Sequence, residues 1–212
     1  MRTRFPTIAA ALAVASFVAC GVAAATPIHA QSTGSTAGRS AAPASARPKD
    51  HVPADLAFMQ GMIGHHEQAL VMAAMAPTHG ASKRIQLFAK KIDLSQRDEI
   101  AFVKRWLGDR RLPLPAAHDH TMMHMPGMLT AEQMTQLDKA RGARFDRLFL
   151  TFMIRHHEGA LTMVQEMFAA PGGGQEPELY RFASDVDADQ RTEIERMQQM
   201  LNTPTTPRSP SR

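Results

Sequence analysis

The run "MIGHHEQALVM", residues 62–72, sets two adjacent histidines, His65 and His66, inside an otherwise apolar segment. It returns almost residue for residue as "MIRHHEGALTM" at residues 153–163, with His156 and His157 in the same places. The match extends outward. Asp55, Phe58, Met62, Ile63, His65, His66, Glu67, Ala69, Leu70 and Met72 recur at a constant offset as Asp146, Phe149, Met153, Ile154, His156, His157, Glu158, Ala160, Leu161 and Met163. Further on, Asp93, Gln96, Arg97, Glu99 and Ile100 recur as Asp187, Gln190, Arg191, Glu193 and Ile194.

Each repeat holds two amphipathic segments. In the segment after the first histidine pair, Ile85, Phe88, Ala89, Ile92, Ile100, Val103 and Leu107 follow the three-and-four spacing of a buried helical stripe. Pro77 and Gly80 close the segment before it, and "APGGG" closes the corresponding one in the second repeat. The spacing predicts helices over residues 54–76, 82–107, 143–169 and 177–201, with a short extra helix opened by a capping box at Thr130 and Gln133. A single amphipathic pair cannot bury its own apolar faces, so two hairpins are expected to form one all-α four-helix bundle over residues 54–202. No stretch carries the alternation of a strand.

The ends read differently. Residues 1–30 begin with Arg2 and Arg4, run through an apolar region from Ile8 to Ala19 and finish in small residues, the pattern of an export signal. "FVACG" around Cys20 also resembles a bacterial lipoprotein cleavage box, with an unusual Phe17 in its first place, which offers a lipid anchor at Cys20 as the alternative. The expected destination is the periplasm or cell envelope, soluble or lipid-anchored. Residues 31–53, rich in Ser, Ala, Gly and Pro, suit a flexible spacer, and residues 203–212 a disordered tail.

Cys20 is the chain's one cysteine, so the folded body has neither disulfides nor thiolate ligands. The formal charge of +4 falls to +2 once the signal takes Arg2 and Arg4 away, and no basic patch argues for nucleic acid.

Imidazoles inside a bundle must be satisfied by hydrogen bonds, water or a metal. On a helix Met62 lies three and four residues from His65 and His66, so its thioether can stand beside either ring, and Met153 repeats this with His156 and His157. Met72 and Met163 continue the stripes. Nitrogen ligands suit Cu(II) and thioethers Cu(I), so the mixed set favours copper over zinc or nickel, while calcium and magnesium prefer oxygen. A single histidine pair would read as structural; duplication beside methionines favours ligation. The adjacent pairs fall on neighbouring stripes, which places one histidine of each pair inward and the other at an edge. Gln96 and Gln190 interrupt the returning helices near the histidine level and are expected to orient the imidazoles. Glu67 and Glu158 are expected to pair with Arg97 and Arg191 or water. Met167, Met197 and Met200 read as core filling. The loop residues His118, His120, Met122, Met123, His124, Met125 and Met128 form a second soft-ligand candidate, with a solvated linker as the plain alternative.

The duplicated "M-I-x-H-H-x-x-A" helix and the "MPGMLTAEQM" segment before the second repeat resemble the bacterial family called domain of unknown function 305. That resemblance covers residues 50–202 and implies a ferritin-like four-helix bundle, often exported, with copper binding and copper tolerance among its members. The chain lacks the Glu-x-x-His pairs of ferritin-like di-iron enzymes and the His-Glu-x-x-His of zinc hydrolases. The sequence is therefore read as a non-enzymatic copper protein for sequestration or transfer. The alternatives are a copper or iron oxidase with an open coordination position, and an interaction bundle whose histidines are structural.

Overall fold

The computed structural model describes residues 51–115 and 125–203. The export signal with Cys20, most of the spacer, the tail from residue 204, and His118, His120, Met122, Met123 and His124 lie outside the described residues. Regular structure within them is entirely helical: α1 Pro53–Met75, α2 Lys83–Asp109, α3 Ala131–Lys139, α4 Gly142–Ala169 and α5 Pro177–Asn202. None of these helices is long and apolar enough to cross a membrane.

The helix starts follow from local chemistry. Pro53 and Pro177 occupy first-turn positions, where a missing N–H costs nothing. Ser82 Oγ accepts from the Ile85 N–H at 3.4 Å. Thr130 Oγ1 accepts from Gln133 N at 3.3 Å while Gln133 Oε1 accepts from Thr130 N at 3.0 Å, the reciprocal cap expected of that pair. Glu176 opens α5 by accepting from Glu178 N and Leu179 N at 3.0 and 2.7 Å.

α1 packs along α2, α4 along α5, and the two pairs meet where α1 lies against α4; the short α3 touches α1 and α4. Two equivalent aspartates lock the pairs reciprocally. Asp55, buried near the start of α1, accepts from the Gly174 N–H of the α4–α5 turn at 2.8 Å. Asp146, near the start of α4, accepts from the Ser82 N–H of the α1–α2 turn at 3.1 and 3.2 Å. Each repeat thus grips the turn of the other. His79, isolated in the sequence, fastens the same end: its Nε2 donates to the Asp138 carbonyl of α3 at 2.9 Å, and its carbonyl accepts from Gly142 N at 2.9 Å.

The core is divided. One apolar cluster gathers Met72, Phe88, Ile92, Phe145, Phe149, Met153 and Met197, among others. A second gathers Phe58, Met62, Trp106, Met163, Met167, Leu179 and Phe182. Between their contributions along each long helix stand the buried polar residues: His65 and His66 on α1, Gln96 on α2, His156 and His157 on α4, Gln190 and Glu193 on α5. A polar layer therefore interrupts the core at mid-height, where desolvation makes every unmet hydrogen-bonding group costly.

Candidate metal centre

A backbone strap covers one side of this layer. The segment Met125–Thr130, which leads into α3, crosses α4 at Gly159. A side chain there would place Cβ 2.1 Å from the Pro126 carbonyl oxygen, and one at Gly127 would lie 2.5 Å from that of Arg155. The two backbones can approach this closely only because both positions are glycine. On α1 the equivalent of Gly159 is Gln68, and it holds the same strap: Gln68 Nε2 donates to Leu129 O at 3.0 Å and Gln68 Oε1 accepts from Leu129 N at 2.8 Å. Arg155 adds a bond to Met128 O at 3.1 Å. Gly159→Ala is expected to lift the strap and cost about 1–3 kcal/mol through overpacking. Urea unfolding measures the cost, and faster amide exchange at Leu129 reports the displacement.

Under the strap the two histidine pairs meet. The His65 and His156 rings lie 3.8 Å apart between centroids, tilted by 38°. His66 stands 6.2 Å from His65, and His157 6.3 Å from His156, so the four imidazoles form one row from α1 to α4. All four are fully buried, which corrects the expectation that one member of each pair reaches an edge. The neighbouring stripes both face protein: His65 Nε2 donates to Pro126 O of the strap at 3.1 Å, while His66 Nε2 donates to Glu99 Oε2 of α2 at 2.5 Å. In the second repeat His157 Nε2 donates to Glu193 Oε2 of α5 at 2.8 Å, and Lys91 Nζ reaches Glu193 Oε1 at 3.2 Å.

Those partners fix which ring nitrogen donates. In His65, His66 and His157 the Nε2 donates; in His65 this leaves a lone pair on Nδ1, and the Nδ1 atoms of all three are buried without a partner. His156 has neither ring nitrogen paired. Burial is the main cause that pushes His65 down to about 3; the charges of His66 and His157 add to it, and the bond to Pro126 opposes it. His156 is lowered in the same way, by burial first and then by its histidine neighbours. Both rings stay neutral across the physiological range, with lone pairs exposed only to the interior. Burial alone would raise Glu193, but its bonds and attraction to His157 and Lys91 outweigh that and hold it below the usual carboxylate range.

The groups that orient the imidazoles are therefore carboxylates. Among the described residues no hydrogen bond joins Gln96 or Gln190 to a histidine, and both polar atoms of the Gln96 side chain lack partners there. Glu99 and Glu193, one helical turn further along, hold the positions expected of the amides. Arg97 and Arg191 are taken by Asp93 and Asp187 on their own helices rather than by Glu67 and Glu158. Glu67 instead faces Lys104 at 3.7 Å.

Comparison of the sequence with known families finds the profile of the domain of unknown function DUF305 over residues 55–201. The chain belongs to the DUF305 family. A DUF305 fragment from Deinococcus radiodurans is similar in structure at 31% identity and a TM-score of 0.64, covering 71% of this chain and 97% of that one. A DUF305 protein from Streptomyces coelicolor, classed as secreted, matches at 25% identity and a TM-score of 0.63, covering 73% and 94%. CopM in its Cu(II)-bound form matches at 28% identity and a TM-score of 0.57, covering 69% of this chain and 95% of CopM. The Cu(I)-bound form of CopM is similar at 27% identity and a TM-score of 0.55. No curated protein matches.

In this DUF305 chain the candidate thioethers are split between the two apolar clusters. Met62 and Met163 lie in one, Met72 and Met153 in the other, so each half of the core brings one methionine from each repeat. All four are buried. Of the second soft-ligand candidate, Met125 and Met128 are described, both half-buried in the strap. Among the described residues no three His, Asp or Glu side chains already converge as a metal-holding group. Two of the imidazoles, His65 and His156, nevertheless offer nitrogen donors of the right kind: neutral, buried and unpaired.

Proposed function

We propose that this protein is an exported, non-enzymatic metal-binding protein that takes copper into the polar layer of its core, for sequestration, transfer or tolerance in the cell envelope. The observation that carries the reading is the row of four buried imidazoles, each with a buried ring nitrogen that has no partner. An interaction bundle with structural histidines would satisfy those atoms; here they are left unpaired, and on the neutral His65 and His156 they are lone pairs, the form a metal requires. His65, His66, His156 and His157 are the proposed nitrogen ligands, with Met62, Met72, Met153 and Met163 as thioethers that suit Cu(I). His156 holds no hydrogen bond of good geometry at either ring nitrogen, so it can turn toward an ion at little cost. The similarity to CopM in its two copper-bound forms supports the choice of metal, and the basic, apolar first thirty residues support export. We read the helices as a ferritin-like four-helix arrangement of two repeated hairpins, supported by the reciprocal aspartate locks.

Titration of the full chain with Cu(I) and Cu(II) tests this. Stoichiometric binding is expected, and a His65/His66/His156/His157 quadruple Ala variant is expected to lose it. Copper affinity unchanged in that variant would remove the reading, and turnover of a reducing substrate would favour an oxidase.

A further inference from the structure

The outer face of α2 is basic, and its equivalent in the other repeat is not. α2 carries seven cations and four anions, whereas α5 carries three and six. The chain's net charge of +4 hides this division. Lys83, Leu87, Lys90, Leu94, Asp98 and Arg105 recur at intervals of three, four or seven along α2, and all are exposed, so they form one outward stripe. Arg84 flanks it at the start of the helix. Lys91, Arg97 and Lys104 face carboxylates, those of Glu193, Asp93 and Glu67. Among the described residues, Lys83, Arg84, Lys90 and Arg105 have no carboxylate within ion-pair distance. Asp98 stands at the edge toward α5, where it lines a groove with Asp185 and Asp189.

The repeat supplies its own control. At the offset that relates Asp93 to Asp187, Leu87 and Leu94 correspond to Arg181 and Ala188. Lys83, Arg84, Lys90 and Arg105 correspond to Pro177, Glu178, Ser184 and Gln199. Both helices form and bury a core face, so neither task requires the cations or leucines of the α2 stripe. Leu87 and Leu94 leave 59% and 55% of their surface exposed. A lone exposed leucine is ordinary. Two of them, seven residues apart and set between cations, form a pattern that a purely ionic partner does not use.

We propose that the outer face of α2 docks on a bilayer surface rich in anionic phospholipid, with its cations among the phosphates and Leu87 and Leu94 at the acyl boundary. Apolar side chains flanked by Lys and Arg on one helical face hold a helix in the plane of such a surface. The opposite face of α2 stays in the core through residues such as Ile92 and Val103, and no described helix is long and apolar enough to cross a membrane. The contact is therefore peripheral. Each cation near an anionic bilayer contributes about fivefold in affinity, a contribution that salt screens. The docking face uses none of the proposed copper ligands and does not depend on the copper reading.

The test is NMR of the full chain, labelled at its Leu and Ala methyls, with bicelles that carry a spin-labelled lipid. Residues 8–19 are apolar and bring their own lipid affinity, so the readout is resolved residue by residue. Bicelles of mixed phosphatidylglycerol and phosphatidylcholine are expected to broaden Leu87 and Leu94 while sparing Ala188, the α5 counterpart of Leu94. In phosphatidylcholine alone, or at high salt, the three are expected to behave alike. A Lys83→Gln/Arg84→Gln/Lys90→Gln variant is expected to dock on the order of 100-fold more weakly. Leu87→Gln/Leu94→Gln keeps every charge, is read at Ala101 on the same face, and is expected to dock about tenfold more weakly. Both variants are expected to keep their helical circular dichroism and their copper stoichiometry. The quadruple His variant is expected to dock unchanged, which keeps failure of the copper reading distinct from failure of this one. Equal broadening of Ala188 and Leu94 by the anionic bicelles would overturn the docking face, as would undiminished broadening in the triple variant. Shifts of Leu87 and Leu94 with soluble polyglutamate, without broadening from the spin-labelled lipid, would make the partner an acidic protein and overturn the lipid assignment.

Discussion

The metal-free protein is expected to lose stability steadily as pH falls below 6.5. His65 titrates near 3 in the folded state against an ordinary 6.5, because burial disfavours its charged form. Between those values the unfolded chain binds a proton that the native state refuses, so stability rises with pH across the window. The contribution is complete above 6.5 and is lost as pH falls toward 3. From His65 alone the slope is about 1.4 kcal/mol per pH unit. His156, lowered for the same reason, acts in the same direction. Glu193 adds to the loss at lower pH, since its depressed carboxyl stabilises the fold only while ionised. Urea midpoints at pH 7.5, 6.0, 5.0 and 4.5 measure the effect. A midpoint flat from pH 7.5 to 5.0 contradicts the burial of neutral imidazoles, and His65→Leu is expected to reduce the slope. Bound copper should steepen the dependence further, because protons compete with the metal for the same lone pairs.

The elements of this fold are legible in the sequence because they rest on local periodicity. The duplicated stripes mark α1, α2, α4 and α5 to within a few residues, and the Thr130–Gln133 pair marks the start of α3. The candidate site is legible only in part. Duplication singles out the histidines, but their partners depend on how far α2 slides along α1. Counting residues from a turn fixes that level only to about a helical turn, some 5 Å. Gln96 and Glu99 lie three residues apart on one face, as do Gln190 and Glu193, and the carboxylates, stronger acceptors than amides, take the imidazole N–H groups. The strap is less legible still. Nothing local to Pro126 announces that its carbonyl meets His65; the one trace is Gly159, standing where the first repeat has Gln68. Full burial of all four histidines follows from the strap on one side and the returning helices on the other, a tertiary outcome that no helical stripe encodes.

The two carboxylates that hold the imidazoles occupy equivalent places in the repeat, yet their removal is expected to cost unequal amounts. The Glu193 side chain is 4% exposed and joins His157 to Lys91, whereas that of Glu99 is 17% exposed and holds His66 alone. Glu193→Ala leaves a fully buried N–H without its acceptor and removes the partner of the half-exposed Lys91 ammonium, and its cost is expected to fall at the upper end of about 1–3 kcal/mol. Glu99→Ala gives water partial access to the orphaned N–H and is expected to cost about 1–3 kcal/mol. Glu193→Gln keeps an oxygen acceptor for His157 Nε2–H and should recover part of the loss. Gln96→Leu removes two unpaired polar atoms at similar volume and is expected not to destabilise. Copper affinity separates orientation from stability. A carboxylate that fixes the Nε2–H tautomer also keeps Nδ1 free and basic, so Glu99→Ala and Glu193→Ala should each weaken copper binding about 10–100-fold, while Gln96→Leu should not. Urea unfolding and competitive copper titration of the four variants decide the matter. Equal costs at Glu99 and Glu193 would show that Lys91 adds nothing to the buried group, and unchanged copper affinity in both Ala variants would separate the carboxylates from the metal altogether.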